Sequence, residues 1–331
     1  MQFGGVIMLN IGIIGTGSIA NMHAEGMIRE ADVFKIKSAC DIDAKRLKDF
    51  GRRFGITELY SDYRKIIDDP EIDAVIVLLP HNYHEPVCIE AMNAGKHVLV
   101  EKPIARTLQE ADNIIKTAET TGVTLMVAHN QRFFPAHRYI RELLEQGVLG
   151  KLFCARVDHY QNFIPPQGSW WRSREAVGGG CVIGSGIHRL DLLRWYLGKI
   201  EEVFAYQVED KERLEAEVAC VAVIKFCSGA IGEFLCNWGV HRSPYGESLS
   251  LFGKDGSIYL TDMNSLYVVD SKMHMTRVDV VDTYDSMWAH FAKCITSGCT
   301  PITNGLEARR SLELALAINC SANTGKPIKL S

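Results

Sequence analysis

Two hydrophobic periods alternate along residues 10–130. Short apolar runs at 10–14, 33–40, 74–79, 98–101 and 124–128 predict buried strands. The segments between them carry helical punctuation. Helices are predicted at 18–30, at 44–54 with Asp43 as N-cap and Gly55 at the end, and at 84–94 stopping at Gly95. Thr107-Leu108-Gln109-Glu110 reads as a capping box that opens a helix to about Thr121. Strand–helix repetition needs crossover connections, and right-handed crossovers give a doubly wound parallel sheet. After Asn130 the period changes. One helix at 135–146 is followed by short strand-like runs at 152–160, 203–208, 217–226, 230–237, 248–252, 257–261 and 265–269. Ser228-Gly229 and Asp255-Gly256 read as hairpin turns. Helices are predicted at 186–197, 285–296 and 305–321, the last opened by Asn304 with Glu307 at its third position. The fold class is therefore an α/β half, residues 1–130, joined to an α+β half with a mostly antiparallel sheet, residues 131–331.

Composition narrows the function. With 331 residues the chain can bury two cores. Its 47% apolar and 23% charged content is ordinary for a soluble globular protein. A net charge of −4 with no basic stripe argues against general nucleic-acid binding. No apolar run approaches the roughly 20 residues that span a bilayer, so no membrane association is expected. Residues 1–10 lack the cationic region and cleavage site of a signal peptide, and Met8 is an alternative start. The ten cysteines are scattered without a Cys-x-x-Cys pair, and Cys40, Cys154, Cys220 and Cys320 sit in apolar runs. This predicts reduced thiols, a cytoplasmic protein and no metal site.

Three motifs carry chemistry. Gly15-Thr16-Gly17-Ser18-Ile19-Ala20 lies between a strand and a helix. Gly15 suits a tight turn, Gly17 a backbone approach to a pyrophosphate, and Ala20 close packing of helix on strand; the helix N-terminus faces the phosphates. Asp41 ends the second strand, 21 residues after Ala20. A carboxylate there accepts from the adenosine ribose hydroxyls and repels a 2′-phosphate, which favours NAD over NADP. Lys45 and Arg46 keep NADP as the alternative. Leu79, Pro80 and His84 are expected on the nicotinamide side, although His84 reads first as a helix start. Glu101-Lys102-Pro103 then places a lysine at a strand's carboxyl end, pinned by proline and aimed into the crevice where open α/β sheets bind ligands. Glu101 and Lys102 join the expected cofactor contacts. The third motif is the glycine-rich stretch 178–191, in which backbone could pass close to a ligand. Its His188 and Asp191 share a helix face, and His188 is the expected catalytic partner of Lys102. Together the motifs point to a nicotinamide-dependent oxidoreductase. Substrate contacts are expected from Asn130, Arg132, Tyr160, Trp171, Arg172 and His188. Trp170-Trp171 reads equally as a sugar-stacking wall or lid and as a core or interface anchor. His241-Arg242 is a lesser candidate.

On these residues the chain resembles the Gfo/Idh/MocA family of oxidoreductases over nearly its whole length. The likeness includes the Gly15–Ala20 loop, Asp41, the 80–84 loop, Asn130-Gln131-Arg132-Phe133 and the 178–191 stretch. Its most specific part is Ala94-Gly95-Lys96-His97-Val98-Leu99-Val100-Glu101-Lys102-Pro103. The resemblance implies an N-terminal Rossmann domain and a C-terminal open-faced sheet that mediates homodimers or homotetramers. It also implies hydride transfer between nicotinamide C4 and a carbinol or carbonyl carbon of a sugar, polyol, inositol or related small molecule. Lys102 and His188 match the family pattern. Many members carry an aspartate four residues before the histidine, where this chain has Gly184. Two other readings stay open: an NAD-dependent glycosidase, and a non-catalytic sugar- or dinucleotide-sensing regulator.

Overall fold

The computed structural model describes residues 8–241, 248–282 and 285–330. Arg242, half of the His241-Arg242 candidate, lies outside them. The chain divides into two compact units. One holds the described residues up to Ala128 together with Asp285–Arg309; the other runs from His129 and resumes at Arg310.

The first unit is built in chain order from β1 (Leu9–Ile14), α1 (Ser18–Arg29), β2 (Phe34–Cys40), α2 (Ala44–Phe54), β3 (Glu58–Tyr60), α3 (Arg64–Ile67), β4 (Ala74–Val77), α4 (His84–Asn93), β5 (His97–Val100), α5 (Leu108–Thr121) and β6 (Leu125–Val127). The six strands are parallel in the order β3-β2-β1-β4-β5-β6, the doubly wound dinucleotide-binding order. Every residue of β4 is buried, as a central strand covered on both faces requires. The punctuation acts as read. Asp43 accepts from Arg46 N–H at 3.0 Å, and Gly55 takes the left-handed conformation after α2. Thr107 accepts from Glu110 N–H at 3.2 Å. The return arm of that capping box differs: the Glu110 carboxylate accepts from Arg106 N–H at 2.9 Å and from the Arg106 guanidinium.

The second unit contributes α6 (Pro135–Glu145), β7 (Leu152–Tyr160), α7 (Arg174–Val177), α8 (Ile187–Leu197), β8 (Ile200–Glu209), β9 (Glu217–Phe226), β10 (Ile231–Asn237), β11 (Leu249–Gly253), β12 (Gly256–Asp262), β13 (Ser265–Asp270) and β14 (Met275–Asp279). The chain then supplies α9 (Met287–Ser297) to the first unit. α10 (Gly305–Thr324) begins there, and its part from Arg310, with β15 (Ile328–Lys329), belongs to the second. The nine strands order as β14-β13-β12-β11-β7-β10-β9-β8-β15. All pairings are antiparallel except β7 with β10. β9 shows why one face is core: Ala222, Ile224 and Phe226 are buried while Val221, Val223 and Lys225 are exposed. Helix α8 packs against β7 and β10.

A cut at residue 130 misses the return of 285–309. Ser286 caps α9 by accepting from Ala289 N–H and donates to Glu30 at 2.8 Å. Further on, Val127 N–H donates to Thr303 O at 2.9 Å, which closes the edge of the parallel sheet. Among the described residues no helix is long and apolar enough to cross a membrane.

Candidate active site

The dinucleotide half is assembled at the carboxyl ends of β1, β2, β4 and β5, where the strand order reverses between β1 and β4. Backbone hydrogen bonds tie these ends together: Gly15 N–H to Cys40 O and Leu78 N–H to Ile14 O at 2.8 Å, Glu101 N–H to Val77 O at 3.0 Å. Gly15 has φ 98°, and a Cβ there would stand 2.3 Å from Leu78 O, so only glycine makes this turn. At Gly17, by contrast, a Cβ would meet nothing within 4 Å. Helix α1 starts behind that open space with no side-chain cap and no acid in its first turn. Uncapped N–H groups and the positive end of the helix dipole form a seat for a diphosphate. Thr16 is buried, Gly17 partly exposed, Ser18 and Ile19 exposed, and Ala20 fully buried. These residues fit a dinucleotide.

Asp41 is more heavily engaged than its sequence position suggests. Its carboxylate accepts from Thr16 N–H and Oγ1–H, from Asp43 N–H, and from Arg46 Nε and Nη2 at 3.1 and 2.8 Å. Burial alone would raise its pKa, but Arg46, Asp43 and Thr16 outweigh burial and hold it below the ordinary value.

Beyond β5, Glu101 is buried with Oε1 3.0 Å from His23 Nε2, while Oε2 accepts the backbone N–H of Lys102 at 3.0 Å. Burial pushes this carboxyl up, yet His23 and Lys102 pull it below the usual range. Its carboxylate is thus spent on anchoring the Lys102 backbone, not offered to a cofactor. His84 also departs from expectation. It is fully buried, with Nδ1 2.9 Å from Pro103 O and Nε2 2.9 Å from Leu79 O. Desolvation lowers its pKa. The ring staples the Leu79 loop to the Lys102-Pro103 turn and has no surface for a ligand. Leu79, Pro80 and Lys102 keep partly exposed surfaces.

In the second unit His188 lies in the first turn of α8, directly after a π turn over Val182–Gly186. Such turns are rare and concentrate at functional sites. The fully buried Glu217 holds the turn, accepting from Gly180 N–H at 2.9 Å and Val182 N–H at 3.2 Å. Burial raises the Glu217 pKa. A Cβ on Gly184 would stand 2.5 Å from Trp238 Cη2 and 3.0 Å from Trp171 Cζ3. No side chain fits there, so the aromatic rings occupy the space an aspartate would need. The glycine-rich stretch brings protein against protein, where a ligand approach was expected. Trp238 Nε1–H donates to Ser185 Oγ at 2.6 Å. Trp171 stacks on Trp170 with centroids 4.3 Å apart, and Phe163 meets both Trp171 and Trp238 edge-on. Trp171 is partly exposed, so this wall also presents a surface one turn from His188.

The expectation that Arg132 binds a substrate hydroxyl is corrected by its pairing with Asp191. Both are buried, and Arg132 Nε and Nη2 grip Asp191 at 2.7 Å each, with Ser311 Oγ–H donating to Asp191 at 2.8 Å. Burial would raise the Asp191 pKa, but His129, Arg132 and Ser311 hold it at about 2. A paired guanidinium in the core does not bind a substrate hydroxyl. Arg172 is likewise committed, bonding the carbonyls of Pro165 and Glu212. Asn130 and Tyr160 are partly exposed. Sequence reading overlooked His129, whose Nδ1 is 3.9 Å from Asp191 Oδ2 and whose ring meets the His188 ring edge-on at 6.2 Å. It also overlooked Glu217, whose signal was a carboxylate opening an apolar strand, and Trp238 as the occupant of the space at Gly184.

Residues 9–129 match an oxidoreductase family with an NAD-binding Rossmann fold, and residues 137–259 match the GFO/IDH/MocA C-terminal domain. The chain belongs to the Gfo/Idh/MocA family of oxidoreductases. It is similar to the Myo-inositol 2-dehydrogenase of Thermotoga maritima, with 29% identity over 97% of this chain and 98% of the relative. It is also similar to the scyllo-inositol 2-dehydrogenase (NAD(+)) of Bacillus subtilis, with 26% identity over 96% and 95%. Levoglucosan dehydrogenase in complex with NADH shares the fold, with TM-score 0.91 and 22% identity over 98% of this chain and 99% of that one. As a Gfo/Idh/MocA member the protein is an oxidoreductase, and its cofactor is NAD.

Proposed function

We propose that this oxidoreductase moves a hydride between NAD and a CH–OH or C=O carbon of a sugar, polyol or inositol. The observation that carries the reading is Lys102, fixed through Glu101 at the carboxyl end of β5 in the unit that holds the dinucleotide loop. The inositol dehydrogenases similar to this chain support a hydroxylated ring as the substrate class. Bound NAD supplies the hydride acceptor at nicotinamide C4. In the oxidative direction His188 takes the hydroxyl proton as general base. The Lys102 ammonium donates a hydrogen bond to the oxygen as negative charge develops. In reduction the same groups return the proton. Asn130 and Tyr160 hold ring hydroxyls, and Trp171 offers an aromatic face to the ring's C–H surface. Ten free thiols fit a cytoplasmic protein. A second copy of this chain is the partner that the open face of the nine-stranded sheet fits.

Nicotinamide absorbance during a screen of sugars, polyols and inositols tests the reading. Lys102→Ala and His188→Ala should each lose roughly 10²–10⁴-fold in kcat, the worth of a positioned acid–base group, with NAD affinity nearly unchanged in His188→Ala. Near-normal turnover in both variants removes the assignment. Sugar release from a glycoside without net NADH would point to the glycosidase chemistry instead.

A further inference from the structure

Cys294 and Cys299 meet at the C-terminal end of α9. The helix ends at Ser297, and Gly298 takes the left-handed conformation with φ 70°, which turns Cys299 back over the last turn. The two sulfurs are 3.2 Å apart, in hydrogen-bonding contact. That is inside van der Waals contact for sulfur, so a small side-chain rotation brings them to bonding distance. Their surroundings divide the work. Cys299 is exposed, and hydrogen bonds from Ser297 and Cys294 draw its pKa below the ordinary thiol value. Cys294 is buried, and burial pushes its thiol up to about 12. His290 Nε2 accepts Ile302 N–H at 3.1 Å, which engages its lone pair, and lies 3.5 Å from Cys294 Sγ. By contrast, Cys181 and Cys236 are both buried and aim their thiols at each other's carbonyl oxygens.

We propose that Cys294 and Cys299 form a reversible thiol-oxidation site for small hydroperoxides, with Cys299 as the attacking sulfur and Cys294 as the resolving one. The Cys299 thiolate attacks the terminal peroxide oxygen. The O–O bond breaks, the alkoxide leaves with the electron pair and takes up a proton, and Cys299 becomes a sulfenic acid. The Cys294 sulfur then attacks the Cys299 sulfur, its proton passing to the departing sulfenic oxygen. The S–O bond breaks, water leaves and the S–S bond forms. Overall, two thiols and one hydroperoxide give one disulfide, one alcohol and one water. The bond would clasp the end of α9 next to the 301–304 segment, where Thr303 O accepts from Val127 N–H and Asn304 caps α10.

The folded full-length protein is treated with hydrogen peroxide, remaining thiols are alkylated after denaturation, and the digest is weighed. Lys293 and Arg309 bracket both cysteines in one tryptic peptide, residues 294–309. The expected product is that peptide unalkylated and lighter by two hydrogens than its dithiol form, restored by dithiothreitol, at doses that leave Cys181 and Cys236 alkylated. Cys294→Ser should convert the outcome to a sulfenic acid on Cys299 that dimedone traps, and Cys299→Ser should leave Cys294 fully alkylated. If the treated wild type keeps both cysteines alkylated, or oxidises Cys299 to higher acids while Cys294 stays reduced, the pair is not such a site.

Discussion

Asp41 is saturated before any dinucleotide arrives. A carboxylate offers about four lone-pair directions, and five donors from Thr16, Asp43 and Arg46 already use them. Ribose hydroxyls must therefore displace a donor. Thr16 and Asp43 donate from the backbone or from a short buried side chain; Arg46 is long and 47% exposed, so it is the group that leaves. A cavity of about 360 Å³ lined by Asn21, Lys45, Arg46, Phe50 and Arg53 gives it room. The same movement leaves a guanidinium beside the ribose, where a 2′-phosphate would sit. Arg46→Ala should lower the KM for NAD by roughly two- to fivefold, the worth of a partly exposed ion pair, and raise the KM for NADP by about tenfold or more, the worth of a charge-assisted bond. Steady-state kinetics with both cofactors checks this; a higher KM for NAD would mean that Arg46 supports the ribose site instead of blocking it.

At the scale of elements, the π turn before α8 explains the glycine that replaces the family aspartate. Position 184 is closed by Trp238 and Trp171, and the turn is pinned from below by Glu217. Gly184→Asp should not restore a carboxylate to His188. It should overpack the turn, at a cost of about 1–3 kcal/mol or more, lowering Tm by several degrees without raising kcat. A Gly184→Asp protein with wild-type Tm and faster turnover would contradict this. The elements that sequence reading missed share one physical trait. β3 has three residues and β15 two, α3 is a single turn, and four of the five β14 residues are exposed, so none carries an apolar period long enough to see. Strands β1, β4 and β5, by contrast, were legible because burial on both faces makes them continuous apolar runs. The site was legible where backbone needs dictate residue type, as at Gly15 and the Lys102-Pro103 turn. It was illegible where a partner lies far along the chain. Arg132 looks like a hydroxyl binder until Asp191, 59 residues on, takes both arms of its guanidinium.

For the whole molecule, the open face of the nine-stranded sheet sets the next question. Strand register lines up Tyr206, Val221 and Leu235 in one row and Phe204, Val223 and Glu233 in the next. Tyr206 is 70% exposed, Val208 60%, Val223 53% and Ile231 49%. Isolated apolar side chains on a surface need no account, but a contiguous patch across three paired strands does. The alternate residues of these strands, such as Ala222, Ile224 and Phe234, are already buried on the other face, so refolding cannot hide the patch. A second copy of the chain, laid sheet to sheet, can cover it with matching rows, and a closed two-fold contact uses the same patch on both subunits. A stable contact needs about 800 Å² from each partner. Val221→Lys places an ammonium between Tyr206 and Leu235 in the middle of that contact, where an unpaired buried charge is strongly unfavourable, while on a free subunit it remains solvated. Sedimentation should show the wild type as a dimer or tetramer and Val221→Lys at a smaller mass with unchanged far-ultraviolet dichroism. A wild type that sediments as a monomer at all concentrations would remove the second copy as the partner of this face.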